Sequence, residues 1–331
     1  MKKVVMWTAL IACLIMLGSC EGEPPKTSAV SKGTKTGTES RLPMSPTLTG
    51  SYGILGAFGV YVSGSYAYVA ALNRVYIINI SNPSKPTLAG SYRTRDAHGV
   101  YVSAGYAYVA DYDRGLLIIN ISNPSNPTLA GSYVTPGAIG VYVSGSYAYL
   151  ANYSRGLLII NISNPSNPTL TGSYDTPGNT YGVYVSGGYA YVADGMSGLQ
   201  IINISNPSKP TLAGSYDTGG ADQGIYVSAG YAYVADGSGL QIISISNPSK
   251  PTLAGSYDTP GIAVGVYVSA GYAYVADVRS GLQVINISNP SKPTLAGSYL
   301  TDQAKAEGVY VSGSYAYVAD IYSGLQIIKI E

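Results

Sequence analysis

GVYVSGSYAYVA, residues 59–70, is written seven times with small changes, from Gly59, Gly99, Gly140, Gly182, Gly224, Gly265 and Gly308. The copies follow one another at intervals of 40–43 residues. Val60 and Val62 alternate with Tyr61 and Ser63, then Tyr66 and Tyr68 alternate with Ala67 and Val69. This period of two, in β-branched and aromatic residues, is the signature of strands. The link Ser-Gly-Ser or Ser-Ala-Gly is short enough for a tight hairpin.

Working outward, the unit from Gly182 divides into four strands: a, GVYVS; b, YAYVA; c, LQIINI; d, TLAGSY. A Gly-bearing turn separates b from c. Between c and d runs S-N-P-S-K-P, whose prolines stop one strand and set the entry to the next. Outside the first residues no segment has a helical period. Four short strands every 40–45 residues predict an all-β protein: a seven-bladed β-propeller of four-stranded antiparallel blades. The repeats begin with a lone d strand, Thr47–Tyr52, and stop after a c strand, Leu325–Ile330. The orphan fits the vacancy, so the ring is expected to close by an N-terminal outer strand, removing both free edges.

YAYVAD followed by GLQIINISNPSKP resembles the LVIVD repeat, a family of bacterial and archaeal surface proteins. The resemblance spans residues 46–331 and implies a propeller whose strands run a to d from axis to rim. The family ends its namesake strand in Asp. Here that place holds Asn79, Asn120, Asn161, Asn203, Ser244, Asn286 and Lys329, so a carboxylate role there is not expected.

Lys2 and Lys3 precede an apolar stretch at 4–17, too short for a comfortable membrane span. It ends in Leu17-Gly18-Ser19-Cys20, which resembles the lipobox of bacterial lipoproteins. That implies a signal peptide at 1–19 and lipidation at Cys20, with a secretory signal bearing a chance cysteine as the alternative. Cys13 is the only other cysteine, so the mature chain could form no internal disulfide. Residues 20–45, rich in Ser, Thr, Gly, Lys and Glu, read as a flexible tether, and 46–331 as the propeller. The expected location is the bacterial cell envelope, with the lipid bilayer as one partner.

A net charge of +1 gives no reason to expect nucleic acid. No cofactor is expected, and a monomer is. In a propeller the d–a and b–c loops share one face, here called the top. Comparison of the seven units places nearly all variation there, in segments such as RTRDAH, DTPGNTY and LTDQAKAE. From residue 46, thirteen acidic and seven basic residues fall in top loops, whereas Lys85, Lys209, Lys250 and Lys292 lie on the bottom. The tether enters at the bottom, so the variable top is expected to face away from the membrane.

The candidate binding face is Arg74, Arg93, Arg95, His98, Arg114, Arg155, Asp222, Arg279 and Asp302. Asp111, Asp194, Asp236, Asp277 and Asp320 follow YAYVA in five units. A carboxylate ring could bind Ca²⁺, but caps for their own turns are the expected role. No metal or catalytic site is otherwise expected. His98 is the single histidine and reads as a surface loop residue, and Asp217-Thr218-Gly219 has no second copy to make a protease dyad. The function expected is a surface binding scaffold for a protein or glycan. The alternatives are a structural repeat protein without a specific ligand, or a glycan-active hydrolase or lyase.

Overall fold

A computed structural model describes residues 43–331. The signal and Cys20 assignments, and the tether as far as residue 42, lie outside the described residues. Among them are 27 strands and no α-helix. Thr252–Ser269 is an 18-residue strand that serves as d of the fifth blade and a of the sixth, so seven blades of four strands result.

Both faces of each blade are apolar because each packs against a neighbour. Along strand c of the second blade, Leu117 and Ile119 join the core with the first blade, while Leu116 and Ile118 join the core with the third. Strand b alternates Tyr108 and Ala110 against Ala107 and Val109 in the same way. Large residues thus meet small ones across each interface, which lets the sheets approach. The same arrangement recurs between every pair of neighbours, including the seventh and first blades, where Val60, Val62 and Ile78 meet Tyr317, Leu325 and Ile327.

The ring closes as the sequence implies. Thr47–Tyr52 pairs antiparallel with the last strand, Thr47 opposite Lys329 and Tyr52 opposite Leu325. A bulge at Thr49 repeats the one found in the outer strand of every other blade. The blade body starts slightly earlier than Pro46. The Met44 amide donates to the Ala296 carbonyl at 3.0 Å, and that of Ser45 to the Glu331 carbonyl at 3.4 Å. Residues 43–46 therefore stand in for part of a c–d loop, and the seam in the ring falls inside that loop.

Two concentric features mark the axis. The first is the ring of glycines that opens each copy of strand a. A Cβ on Gly59 would lie 2.4 Å from the His98 carbonyl oxygen, and one on Gly308 2.5 Å from that of Phe58, with the other five at 2.4–2.6 Å. Only glycine allows the inner strands to come so close. The second is a closed ring of tyrosines, Tyr61, Tyr101, Tyr142, Tyr184, Tyr226, Tyr267 and Tyr310. Each touches the next, with ring centroids 4.7–4.9 Å apart and planes inclined at 48–54°. Burial, reinforced by neighbouring phenols, raises Tyr61, Tyr142 and Tyr267 far above the usual tyrosine range and pushes Tyr184 up to about 12.

The bottom loops barely vary because their side chains build the turn. Asn79 Oδ1 accepts from the Ser81 amide at 2.9 Å and its hydroxyl at 2.7 Å, and Asn82 Oδ1 does the same for Ser84. These paired Asx turns recur around the ring.

Candidate functional site: the variable top face

The five aspartates that follow YAYVA are buried, and they tie the top loops to the body. Asp111 accepts amides from Asp113 at 3.1 Å and Arg114 at 2.9 Å in its own turn, and from Arg95 at 2.8 Å in the preceding d–a loop. Asp320 likewise joins Tyr322 and Ser323 to Thr301 and Lys305. Asp236 caps its own turn through Ser238 and Gly239 and takes the Gln241 amide at 2.7 Å. Asp194 and Asp277 differ from the expected pattern, because their carboxylates accept from the d–a loop: from Thr176, Gly178 and Thr180 for one, from Gly261 for the other. In the third blade Asn152 donates to Thr135 and Pro136 instead. Among the described residues no group of three or more His, Cys, Asp or Glu side chains is placed to hold a metal.

Two candidate binding residues prove buried. Asp222 is fully buried between the fourth and fifth blades. Its place is taken by Ala57, Ala97, Ala138, Ala263 and Ala306 in five other copies. Thr218 donates to its Oδ1 at 2.5 Å, while Oδ2 has no hydrogen-bond partner. Burial, with Asp236, Asp217 and Asp194 nearby, outweighs that bond and pushes its pKa up to about 7. His98 is not a surface loop residue. It lies in strand Ala97–Ser103, 8% exposed, stacked on Phe58 at 4.5 Å, with Nε2 3.2 Å from Asp96 Oδ1. A bulge between Ala97 and Gly99 explains this, because it turns the residue before the ring glycine toward the axis.

The same position in the seven copies carries the strongest variation of all: Phe58, His98, Ile139, Tyr181, Gln223, Val264 and Glu307. The carbonyl of each sits against the ring glycine of the preceding blade, so the seven follow one another around the channel mouth. Glu307, counted with the top loops, instead belongs to strand Ala306–Ser312. Burial, partly offset by Lys305, raises it to about 7. Tyr112 and Tyr153, from two b–c loops, extend the mouth into an aromatic arc. His98, Tyr112, Tyr153 and Tyr181 succeed one another at 6.2, 6.3 and 5.6 Å.

The exposed charge of the top is therefore not uniformly acidic. Six of its thirteen acids, Asp111, Asp194, Asp222, Asp236, Asp277 and Asp320, are buried. Arg74, Arg93, Arg95 and Arg155 stand exposed on the first three blades, with Asp175, Asp217, Asp258 and Asp302 exposed beyond them and Arg279 on the sixth. Arg74 Nη1 donates to Ser91 Oγ at 2.9 Å, and Arg155 Nη1 to Thr135 Oγ1 at 3.1 Å. Arg93, Arg95 and Arg114 come together with Asn73, Thr94 and Asp113 around a cleft of about 530 Å³ between the first two blades.

The family model of the LVIVD repeat matches residues 56–94, 95–135, 137–176, 177–218, 219–259, 260–301 and 303–330. The chain belongs to the LVIVD-repeat family. Its seven matches are the seven blades, each taken from one d–a loop to the next outer strand. No protein of curated function matches it. Among solved structures this LVIVD-repeat propeller is similar to the β-propeller domain of Myceliophteria thermophila Cps50 (Swd1), at 11% identity and a TM-score of 0.71. That match covers 86% of this chain and 100% of the other. It is similar also to the RRP9 WD40 repeats, at 11% identity, a TM-score of 0.69, and coverage of 88% and 99%. A computationally designed protein, Ika8, matches at 7% identity and a TM-score of 0.64, with coverage of 86% and 99%. These likenesses concern the fold alone.

Proposed function

We propose that this propeller is an interaction scaffold of the bacterial cell envelope, lipid-anchored through Cys20, that recognises a protein or glycan through its top face. The observation that carries the reading is the contrast between a repeated body and one varied face. Side chains that build blades and bottom loops recur almost unchanged, while mouth and top loops differ in every copy. The buried aspartates hold those loops in place, which suits a rigid recognition surface. Lys85, Lys209, Lys250 and Lys292 are exposed in c–d loops, on the face where strand Thr47–Tyr52 begins, and would favour an anionic bilayer there.

A glycan-active enzyme would need a second carboxylate at the mouth. Of the seven mouth residues Glu307 is the only acid, so binding is the better-supported reading.

The test uses the full chain in a pull-down and a glycan-array screen. It is compared with a variant whose top loops are replaced by the commonest loop of the repeat. Ligands captured by the parent and lost by the variant support the reading, and equal capture by both refutes it. Cys20→Ala should release the chain from membranes or leave an unprocessed precursor. Unchanged fatty-acid labelling in that variant would contradict the anchor.

A further inference from the structure

We propose that the cleft between the first and second blades, with the tyrosines beside it, binds an acidic saccharide through Arg93, Arg95 and Arg114. This rests on the top-face reading above and names the ligand class.

The cleft is built rather than incidental. Arg95 and Arg114 approach it from different blades, yet the buried Asp111 carboxylate holds the main-chain amides of both, at 2.8 and 2.9 Å. Thr94, buried between Arg93 and Arg95, donates its amide to the Asn73 carbonyl at 2.9 Å. The main chain carrying the arginines is thus fixed without using their guanidinium groups.

Those groups outnumber the acids around them, three cations to one carboxylate. Asp113 is the only acid lining the cleft, and among the described residues none of the three arginines forms an ion pair. Arg93 also lies directly opposite Arg74 across the strand pair, a like-charge juxtaposition that opposes folding. A concentration of cations that the fold leaves unneutralised favours an external anion. The planar guanidinium fork suits carboxylate or sulfate oxygens.

The tyrosines select the saccharide. Tyr112 lies between Asp111 and Asp113 in the same short loop that delivers Arg114. It adjoins the cleft-lining Asp113, touches His98, and begins the half-buried row Tyr112, Tyr153, Tyr181 that follows the mouth from the second blade to the fourth. Aromatic side chains offer an apolar face with a polar tip. They match the C–H face of a pyranose, while the arginines match its acid group. An acidic peptide would use the arginines and not the tyrosine row.

The test is calorimetric titration of the full chain with a short oligogalacturonate, a neutral oligosaccharide of equal length, polyglutamate and inorganic sulfate. Binding of the oligogalacturonate, weakened by salt and tighter than that of polyglutamate, is expected. Arg93→Gln, Arg95→Gln and Arg114→Gln should each reduce affinity about tenfold, as loss of a charge-assisted bond would. Tyr112→Ala with Tyr153→Ala should reduce binding of the saccharide and leave that of polyglutamate unchanged. Changing the four bottom lysines to Gln should alter neither, and thermal melts check that every variant folds. Polyglutamate binding as tight as the saccharide, retained affinity in the arginine variants, or no binding of the oligogalacturonate overturns the proposal. If a different top-face ligand is captured in the screen above, independently of these arginines, the scaffold reading survives and this assignment does not.

Discussion

Replacing Asp222 by alanine should stabilise the protein, and more so as the pH rises. The position is alanine in five copies, so the substitution restores the small residue for which the blade interface is shaped. In the folded chain burial raises the carboxyl to about 7, against 3.8 for an ordinary aspartate. The folded state thus holds a proton that the unfolded state releases earlier. Stability is fully present below about pH 4, falls as the pH rises, and levels off above the folded value. At about 1.4 kcal/mol per pKa unit, the penalty is on the order of 1–2 kcal/mol at pH 5 and about 4 kcal/mol at pH 8. Alanine removes all of it but leaves the Thr218 hydroxyl without its acceptor, a loss of about 1 kcal/mol. The net gain is about 3 kcal/mol at pH 8 and close to zero at pH 5, seen as a rise of several degrees in melting temperature at the higher pH only. The assay is thermal unfolding of parent and variant across this range. Glu307 titrates in the same window in both, so the quantity read is their difference. A difference that does not grow with pH, or a variant less stable than its parent at pH 8, would refute the argument.

Deleting the closing strand, Thr47–Tyr52, should lower the melting temperature and promote self-association. It forfeits ladder bonds at about 1 kcal/mol each and bares the edge of the last strand; an unchanged, monomeric variant would contradict the closure. The tyrosine ring predicts an abrupt alkaline transition. Because Tyr61, Tyr142 and Tyr267 are raised in the folded state, their contribution is intact below pH 10 and lost as the pH climbs above it. Ultraviolet titration should therefore show these phenols ionising together with loss of near-ultraviolet circular dichroism, and smooth ionisation with the fold intact would count against the ring. Ala229 holds a left-handed backbone, φ 49°, as Ala104 and Ala270 do, where the other four hairpins have Gly64, Gly145, Gly187 and Gly313. Ala229→Gly should gain about 0.5–1 kcal/mol in denaturant unfolding, and a loss would show the turn to be relaxed as it stands.

The architecture was legible because repetition amplifies a weak signal. One GVYVS is an ambiguous short strand, whereas seven at even spacing, with an orphan d strand to match a missing one, define a ring. The site is less legible, since chain position assigns a residue to a loop whereas its side-chain direction depends on bulges. His98 reads as a loop residue until the bulge at Ala97–Gly99 turns it onto Phe58. Asp222 looks like one more surface charge, and its fault is visible only when it is aligned with the buried alanines. Tyr112 and Tyr153 are two of 33 tyrosines, and nothing local separates a mouth residue from a core one. Arg93, Arg95 and Arg114 stand out by their charge, but the cleft they share comes from two blades meeting and has no sequence motif.

The strand that seals the ring, TLTGSY at 47–52, is spelled identically at 169–174 and differs by one residue from the other outer strands. Every blade therefore offers the same socket, and the clasp has no lock of its own. What selects the right partner is proximity, because Thr47–Tyr52 leads straight into the first blade and is presented to the seventh at high effective concentration. A neighbouring molecule whose socket is still open competes on equal chemical terms. Crowding during folding should thus produce chains linked head to tail by exchanged strands, assembled from the contacts that make the single ring.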